Sequence, residues 1–176
     1  PPKRTLYRSS KVAISKYRRS SNIVARELEG LRVLYIPTTY VGNQIYGPFH
    51  AYPDSVYSEW QSAISKVLPN VVTKTHPKSK RNYSLPGQIE NRWLDDCIEE
   101  YDVLILDYVA TSTVLAMVTD KPVIFFDIGL RRVTRDFFVA LRKRCHYVVI
   151  NINDSLDEQI EYAVESFSTG NHVWSN

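Results

Sequence analysis

Cysteine is scarce in this chain, methionine occurs once, and no apolar run is long enough to cross a bilayer. Each shortage removes a class of protein. Cys97 and Cys145 are the only two cysteines in 176 residues. They stand far apart, without Cys-x-x-Cys spacing and without a histidine cluster suited to zinc. A disulfide-stapled scaffold and a zinc module are therefore excluded, and two free buried thiols in a reducing compartment are expected. No apolar stretch approaches the roughly 20 residues that a membrane-spanning helix needs. No internal repeat or low-complexity tract stands out, which argues against a solenoid or a tail-like segment. The single methionine is Met117 and the chain opens Pro-Pro, so the expectation is a piece cut from a longer protein.

What remains is an ordinary globular composition, 44% hydrophobic and 23% charged, at a length that fits one domain with a sizeable core and a short extension. The twelve tyrosines are scattered and read as half-buried sheet and surface residues. The net charge of +3 is unevenly placed. Residues 3–32 carry nine Lys and Arg against Glu27 and Glu29. A second basic cluster comprises Arg131, Arg132, Arg135, Arg142, Lys143 and Arg144. Such patches suit anionic lipid, nucleic acid or a phosphorylated substrate, and equally a solvated face or an inter-domain surface.

Residues 1–30 are polar and basic, and read as a linker or helical extension ended by Gly30. Residues 31–176 read as the folded domain. Apolar runs at 31–36, 71–75, 103–106, 123–126 and 147–150 alternate with helical spacings at 54–68, 89–100, 111–119, 134–141 and 156–167. Trp93 falls on the inward face of the second helix. Unbroken β-branched and aromatic runs separated by helix-length patterns describe an α/β fold, a doubly wound parallel sheet covered on both sides. Residues 38–53 form a turn-rich loop longer than a plain connector needs, which favours a functional loop.

In an open parallel sheet the turns after the strands share one edge, where ligands bind. Three polar turns fall there: Thr38 and Thr39 after the first strand, Lys74, His76 and Pro77 around the end of the second, and Asp107 through Thr111, Ser112 and Thr113. Hydroxyls and free N–H groups at a helix start suit an anion, and Lys74 and a protonated His76 add positive charge. Taken singly, a Thr-Ser-Thr turn is an N-cap and a lone histidine a structural residue; their joint placement at strand ends is what favours a phosphate-bearing ligand.

The order of these motifs resembles the donor-binding C-terminal domain of GT-B glycosyltransferases. They are Pro-Thr after the first strand, His-Pro after the second, then Asp-Tyr-x-x-Thr-Ser before an apolar helix and Lys-Pro-Val. The likeness runs over residues 31–167 and is closest to bacterial capsule and surface-polysaccharide transferases that use CMP-sugars such as CMP-Kdo. CDP-glycerol glycerophosphotransferases are the related alternative. In that family the His-Pro pair contacts the nucleotide and the paired hydroxyls bind its phosphate. The resemblance therefore points to His76 and Pro77, to Thr111, Ser112 and Thr113, and to Asp107 as the acidic residue ending its strand. UDP- and GDP-sugar transferases of this fold carry a Glu one turn into the following helix; here Val114-Leu115-Ala116-Met117 stands there, which favours cytidine over uridine.

The resemblance implies a glycosyltransferase without a metal or resident cofactor, located in the cytoplasm or peripherally on the inner membrane. Its partners would be a nucleotide-sugar donor, a glycan or lipid-linked glycan acceptor and a preceding acceptor domain. The basic segment could meet the membrane surface. Asp54, Asp107 and Asp127 are the carboxylates at hand. In this architecture the base comes from the opposite domain, so this domain is expected to bind donor and lack the catalytic base. Rivals are weaker. A receiver module needs acidic residues after the first strand, and a flavodoxin-like module a Ser/Thr/Gly-rich loop; Pro37-Thr38-Thr39 offers neither. A non-catalytic α/β interaction module remains the alternative of another class. No RNP, KH or zinc-finger pattern supports nucleic-acid binding.

Overall fold

Among the described residues, six strands form one sheet in which every neighbouring pair is parallel. The structure is a computed structural model that describes residues 28, 30–38, 52–76 and 87–169. The strands are β1 (Val33–Ile36), β2 (Val72–Lys74), β3 (Gln88–Glu90), β4 (Val103–Leu106), β5 (Val123–Asp127) and β6 (His146–Val149). The helices are α1 (Asp54–Val67), α2 (Leu94–Cys97, continued by a 3-10 turn Ile98–Glu100), α3 (Thr111–Val118), α4 (Arg135–Arg144) and α5 (Leu156–Ser168). The spatial order is β3-β2-β1-β4-β5-β6, so the chain builds outward from the centre in one direction, returns, and builds outward in the other. The α/β class with a doubly wound parallel sheet follows as the sequence indicates. Apart from residues 28 and 30, the expected basic extension lies outside the described residues.

The central strands are short β-branched and leucine-rich runs with no polar break. β1 and β4 are buried at every position, and β5 at all but its last, as a sheet covered on both faces requires. Alternation sends Val33, Tyr35, Val103, Ile105, Ile124 and Phe126 to one face, where α1 and α5 cover them. Leu34, Ile36, Leu104, Leu106, Val123 and Phe125 go to the other, against α2, α3 and α4. Trp60 of α1 is fully buried and meets Phe126 edge-on at a centroid distance of 5.3 Å. Burying an aromatic of that size stabilises the fold by about 3 kcal/mol, which makes α1 a firm wall behind β1.

One stretch differs from expectation. Residues 89–100 do not form a single helix: Gln88–Glu90 is an edge strand paired with β2, and the helix begins only at Leu94. Trp93, expected inward, is 71% exposed. Glu90 is held where it is by its own carboxylate, which accepts from the backbone N–H and the guanidinium of Arg92 and from the Tyr101 hydroxyl at 3.1 Å. These bonds secure the edge strand to the element that follows it. The Arg92 bonds hold the Glu90 carboxyl down, to about 2 against an ordinary value of 4.5. Because the folded value is depressed, the stabilisation is complete above about pH 4.5 and is lost as pH falls toward 2. Glu90→Gln is therefore expected to cost about 1–2 kcal/mol at neutral pH, the partial exposure of Arg92 screening the rest, and to flatten acid unfolding in that window. Urea titrations at several pH values measure both; an unchanged acid limb would refute the assignment.

Candidate functional site

β1 and β4 lie side by side, with Val33–Ile36 opposite Val103–Leu106, yet their connections part. The chain leaving β1 enters α1 on one face, and the chain leaving β4 enters α3 on the other. A crevice opens between two such carboxyl ends, and there α/β sheets of this strand order hold their ligands.

Asp107, immediately after β4, lies at the root of this opening and is 2% exposed. Its Oδ2 accepts from the Tyr35 hydroxyl at 2.5 Å and from Trp60 Nε1 at 3.0 Å, and its Oδ1 from the Thr38 backbone N–H at 2.6 Å. One carboxyl thus joins β1, β4 and α1. Burial pushes its pKa up to about 6 from the usual 3.8, and the three donors keep it from rising further. Asp107 holds the opening in shape; its oxygens are taken up by the protein.

The Thr-Ser-Thr turn divides by role. Ala110 is the N-cap of α3, and its methyl side chain offers the helix start no acceptor. Thr113 is fully buried: its hydroxyl donates to the Tyr108 carbonyl at 2.6 Å and accepts from the Ala110 N–H at 3.2 Å. Its hydroxyl is taken up in shaping the turn, which sets it apart from the other two hydroxyls expected to serve a phosphate. Ser112 is half-buried and Thr111 exposed, both in the first turn of an eight-residue helix, where backbone N–H groups lack intrahelical acceptors and favour negative charge.

Lys74 is also redirected. It is 7% exposed, and its ammonium donates to the Thr75 carbonyl at 2.7 Å. Burial lowers its pKa, opposed by Cys97 and Glu90 nearby. Cys97 and Cys145 are free and buried, as expected from the sequence. His76 is exposed, two residues beyond β2, and Thr38 is buried just beyond β1. Thr39 and Pro77 lie outside the described residues, as does most of the 38–53 loop. The strand order therefore brings Thr38, His76, Thr111 and Ser112 to one sheet edge across three adjacent strands, β2, β1 and β4, spaced about 4.8 Å apart.

Sequence reasoning missed what adjoins this edge. A cavity of about 620 Å³ lies over the ends of β4 and β5, under the connection from β5 to α4. Asp107, Tyr108 and Asp127 line it together with Arg131, Arg132 and Arg135. The signal was present as a basic cluster, but the run at 131–144 does not say which of its members face a hollow. A second cavity of about 830 Å³ lies at the opposite end, where Val33, Val72 and Gln88 begin their strands. Among the described residues no three His, Cys, Asp or Glu side chains gather as a metal site, and no helix is long and apolar enough to cross a membrane. No family model, curated protein or solved structure matches this chain.

Proposed function

We propose that this domain binds the nucleotide of an activated sugar at the β1–β4 opening, as the donor half of a bacterial surface-polysaccharide glycosyltransferase using a CMP-sugar. The observation that carries the reading is the strand order β3-β2-β1-β4-β5-β6, which puts the opening beside an α3 start whose N-cap has no side-chain acceptor. The resemblance of its short motifs to donor-binding domains supports the sugar-nucleotide class. The phosphate would take the N–H groups of the first turn of α3 and the Ser112 hydroxyl. His76 would approach the nucleotide from the end of β2.

Glycosyl transfer needs the departing phosphate stabilised and the acceptor hydroxyl deprotonated. Fixed N–H donors do the first, and each such donor contributes a few kcal/mol where water is excluded. The second falls to a group outside this domain. Asp107 cannot serve as base, because it is buried and its oxygens already accept three donors.

Thermal denaturation of the full-length protein with CMP, CDP and UDP tests the reading. At a CMP concentration about 100-fold over Kd, stability rises by about 2.7 kcal/mol, a gain of several degrees in Tm. His76→Ala and Ser112→Ala are expected to abolish the gain while leaving the unliganded Tm within about 1–2 °C, because His76 is exposed and Ser112 only half-buried. CDP protecting far better than CMP would move the reading to the glycerophosphotransferases. If none of the three nucleotides shifts Tm, the proposal is wrong.

A further inference from the structure

The cavity over β5 has an apolar floor and a cationic rim. Phe125 stacks on Tyr147 with ring centroids 5.7 Å apart, and Phe138 meets Tyr147 edge-on at 5.4 Å. Arg131, Arg132 and Arg135 line the same hollow, all three exposed. Two carboxylates also line it, and both are already engaged. Asp107 serves Tyr35, Trp60 and Thr38. Asp127 accepts from the Gly129 N–H at 2.9 Å and from the Tyr147 hydroxyl.

The connection that carries the arginines is shaped locally. Gly129 takes a positive φ of 78°, and a Cβ there would lie 3.3 Å from the Tyr52 hydroxyl oxygen. Arg131 donates to the Val109 carbonyl at 3.1 Å and lies over the Tyr108 ring at 5.9 Å, so the β4 and β5 connections are joined across the cavity mouth.

We propose that this cavity is a phosphate site, recognising a phosphoryl group through Arg131, Arg132 and Arg135. Three arginines line one hollow, and a dianion held there offsets their like charge. The planar fork of arginine matches phosphate oxygens two at a time, and a phosphoryl group has enough oxygens for more than one fork. Thr111, Ser112 and Thr113 do not line this cavity, although Asp107, Tyr108 and Val109 before them do, so the two sites adjoin while drawing on different phosphate-binding groups.

Isothermal titration calorimetry of the full-length protein with inorganic pyrophosphate reads the site directly. Saturable binding is expected, weakened about tenfold by Arg132→Gln or Arg135→Gln, as loss of one charge-assisted contact implies. Lys143→Gln, on an exposed position of the same helix and outside the cavity, should leave affinity within about twofold. Sodium acetate at equal ionic strength should not compete. The proposal is overturned if the two arginine variants, folded by circular dichroism, bind pyrophosphate as the parent does, or if Lys143→Gln weakens binding equally. The source of the phosphate is settled by saturating CMP. Competition makes it the nucleotide's own, and undiminished pyrophosphate binding assigns it to a second phosphorylated ligand; the site holds in both cases. Loss of CMP protection in Ser112→Ala with pyrophosphate binding intact would separate the two sites.

Discussion

Asp107→Asn is expected to destabilise the protein by about 3 kcal/mol near pH 5, lowering Tm by roughly 6–12 °C. The replacement is nearly isosteric, so the effect is one of hydrogen-bond direction. Thr38 N–H and Trp60 Nε1–H can only donate, and they approach different oxygens of the carboxyl. An asparagine offers one oxygen and one NH2, so one of those donors must face another donor in a buried site. A protonated aspartic acid avoids this, because its hydroxyl can donate to Tyr35 Oη while both oxygens still accept.

That contrast gives the prediction a pH signature. The folded pKa of Asp107 is raised to about 6 from 3.8, with burial the largest cause. The folded state therefore keeps a proton that the unfolded state has already lost, and this contribution to stability is present below about pH 4 and lost as pH rises through 6. The asparagine variant has no such proton, so the gap between parent and variant should narrow by about 2 kcal/mol between roughly pH 4 and pH 7. Tyr35→Phe should cost about 1 kcal/mol and raise the carboxyl pKa further, because the lost hydroxyl is the strongest of the bonds that lower it. Urea unfolding followed by tryptophan fluorescence measures each; a gap independent of pH would mean that the carboxyl is ionised throughout. Because the same carboxyl fixes the Thr38 side of the β1–β4 opening, the nucleotide reading adds a consequence: Asp107→Asn should weaken CMP protection as well as stability.

The sequence disclosed the parts of this fold whose residues have one plausible environment. Val103–Leu106 and Val123–Phe126 are apolar at every position, and only a strand covered on both faces accepts such a run. Gln88-Ile89-Glu90 gave no such signal. It is a three-residue edge strand with one neighbour, and its polar-apolar-polar pattern fits the opening of a helix equally well. The spacing of Ile89, Trp93 and Cys97 matches a helical face, but the helix starts after Trp93, so the match has no structural meaning. At the candidate site the strand ends were legible, because parallel order alone aligns them. The division between Ser112 and Thr113 was not: it depends on Thr113 folding back onto the Tyr108 carbonyl, a contact set by turn geometry that no spacing rule encodes.

The same limit applies to Arg144, and here a second large effect is expected. Read in sequence, Arg142-Lys143-Arg144 is a basic surface run, yet Arg144 is 4% exposed while its two predecessors are exposed. From the last turn of α4 its guanidinium reaches the carboxyl end of α3. Its Nη2 donates to the carbonyls of Thr119 and Lys121 at 2.6 Å each and of Ala116 at 3.4 Å, and its Nε to that of Met117 at 3.0 Å. These carbonyls lie at the end of α3 and just beyond it, where the helix leaves acceptors unpaired and its dipole favours a cation. Arg144→Met, similar in length, should cost about 3–5 kcal/mol, because it leaves several buried carbonyls without a donor. Arg144→Lys should recover only part of that loss, since one ammonium cannot reproduce the fork that spans four carbonyls. Arg142→Met, on the exposed side of the same helix, should fall within about 0.5 kcal/mol of the parent. Chemical denaturation of the three variants gives the ranking; equal costs for Arg142→Met and Arg144→Met would show that α3 is held by its packing alone. If the ranking stands, the first turn of α3 owes its position at the sheet edge in part to an arginine anchoring the other end of the helix.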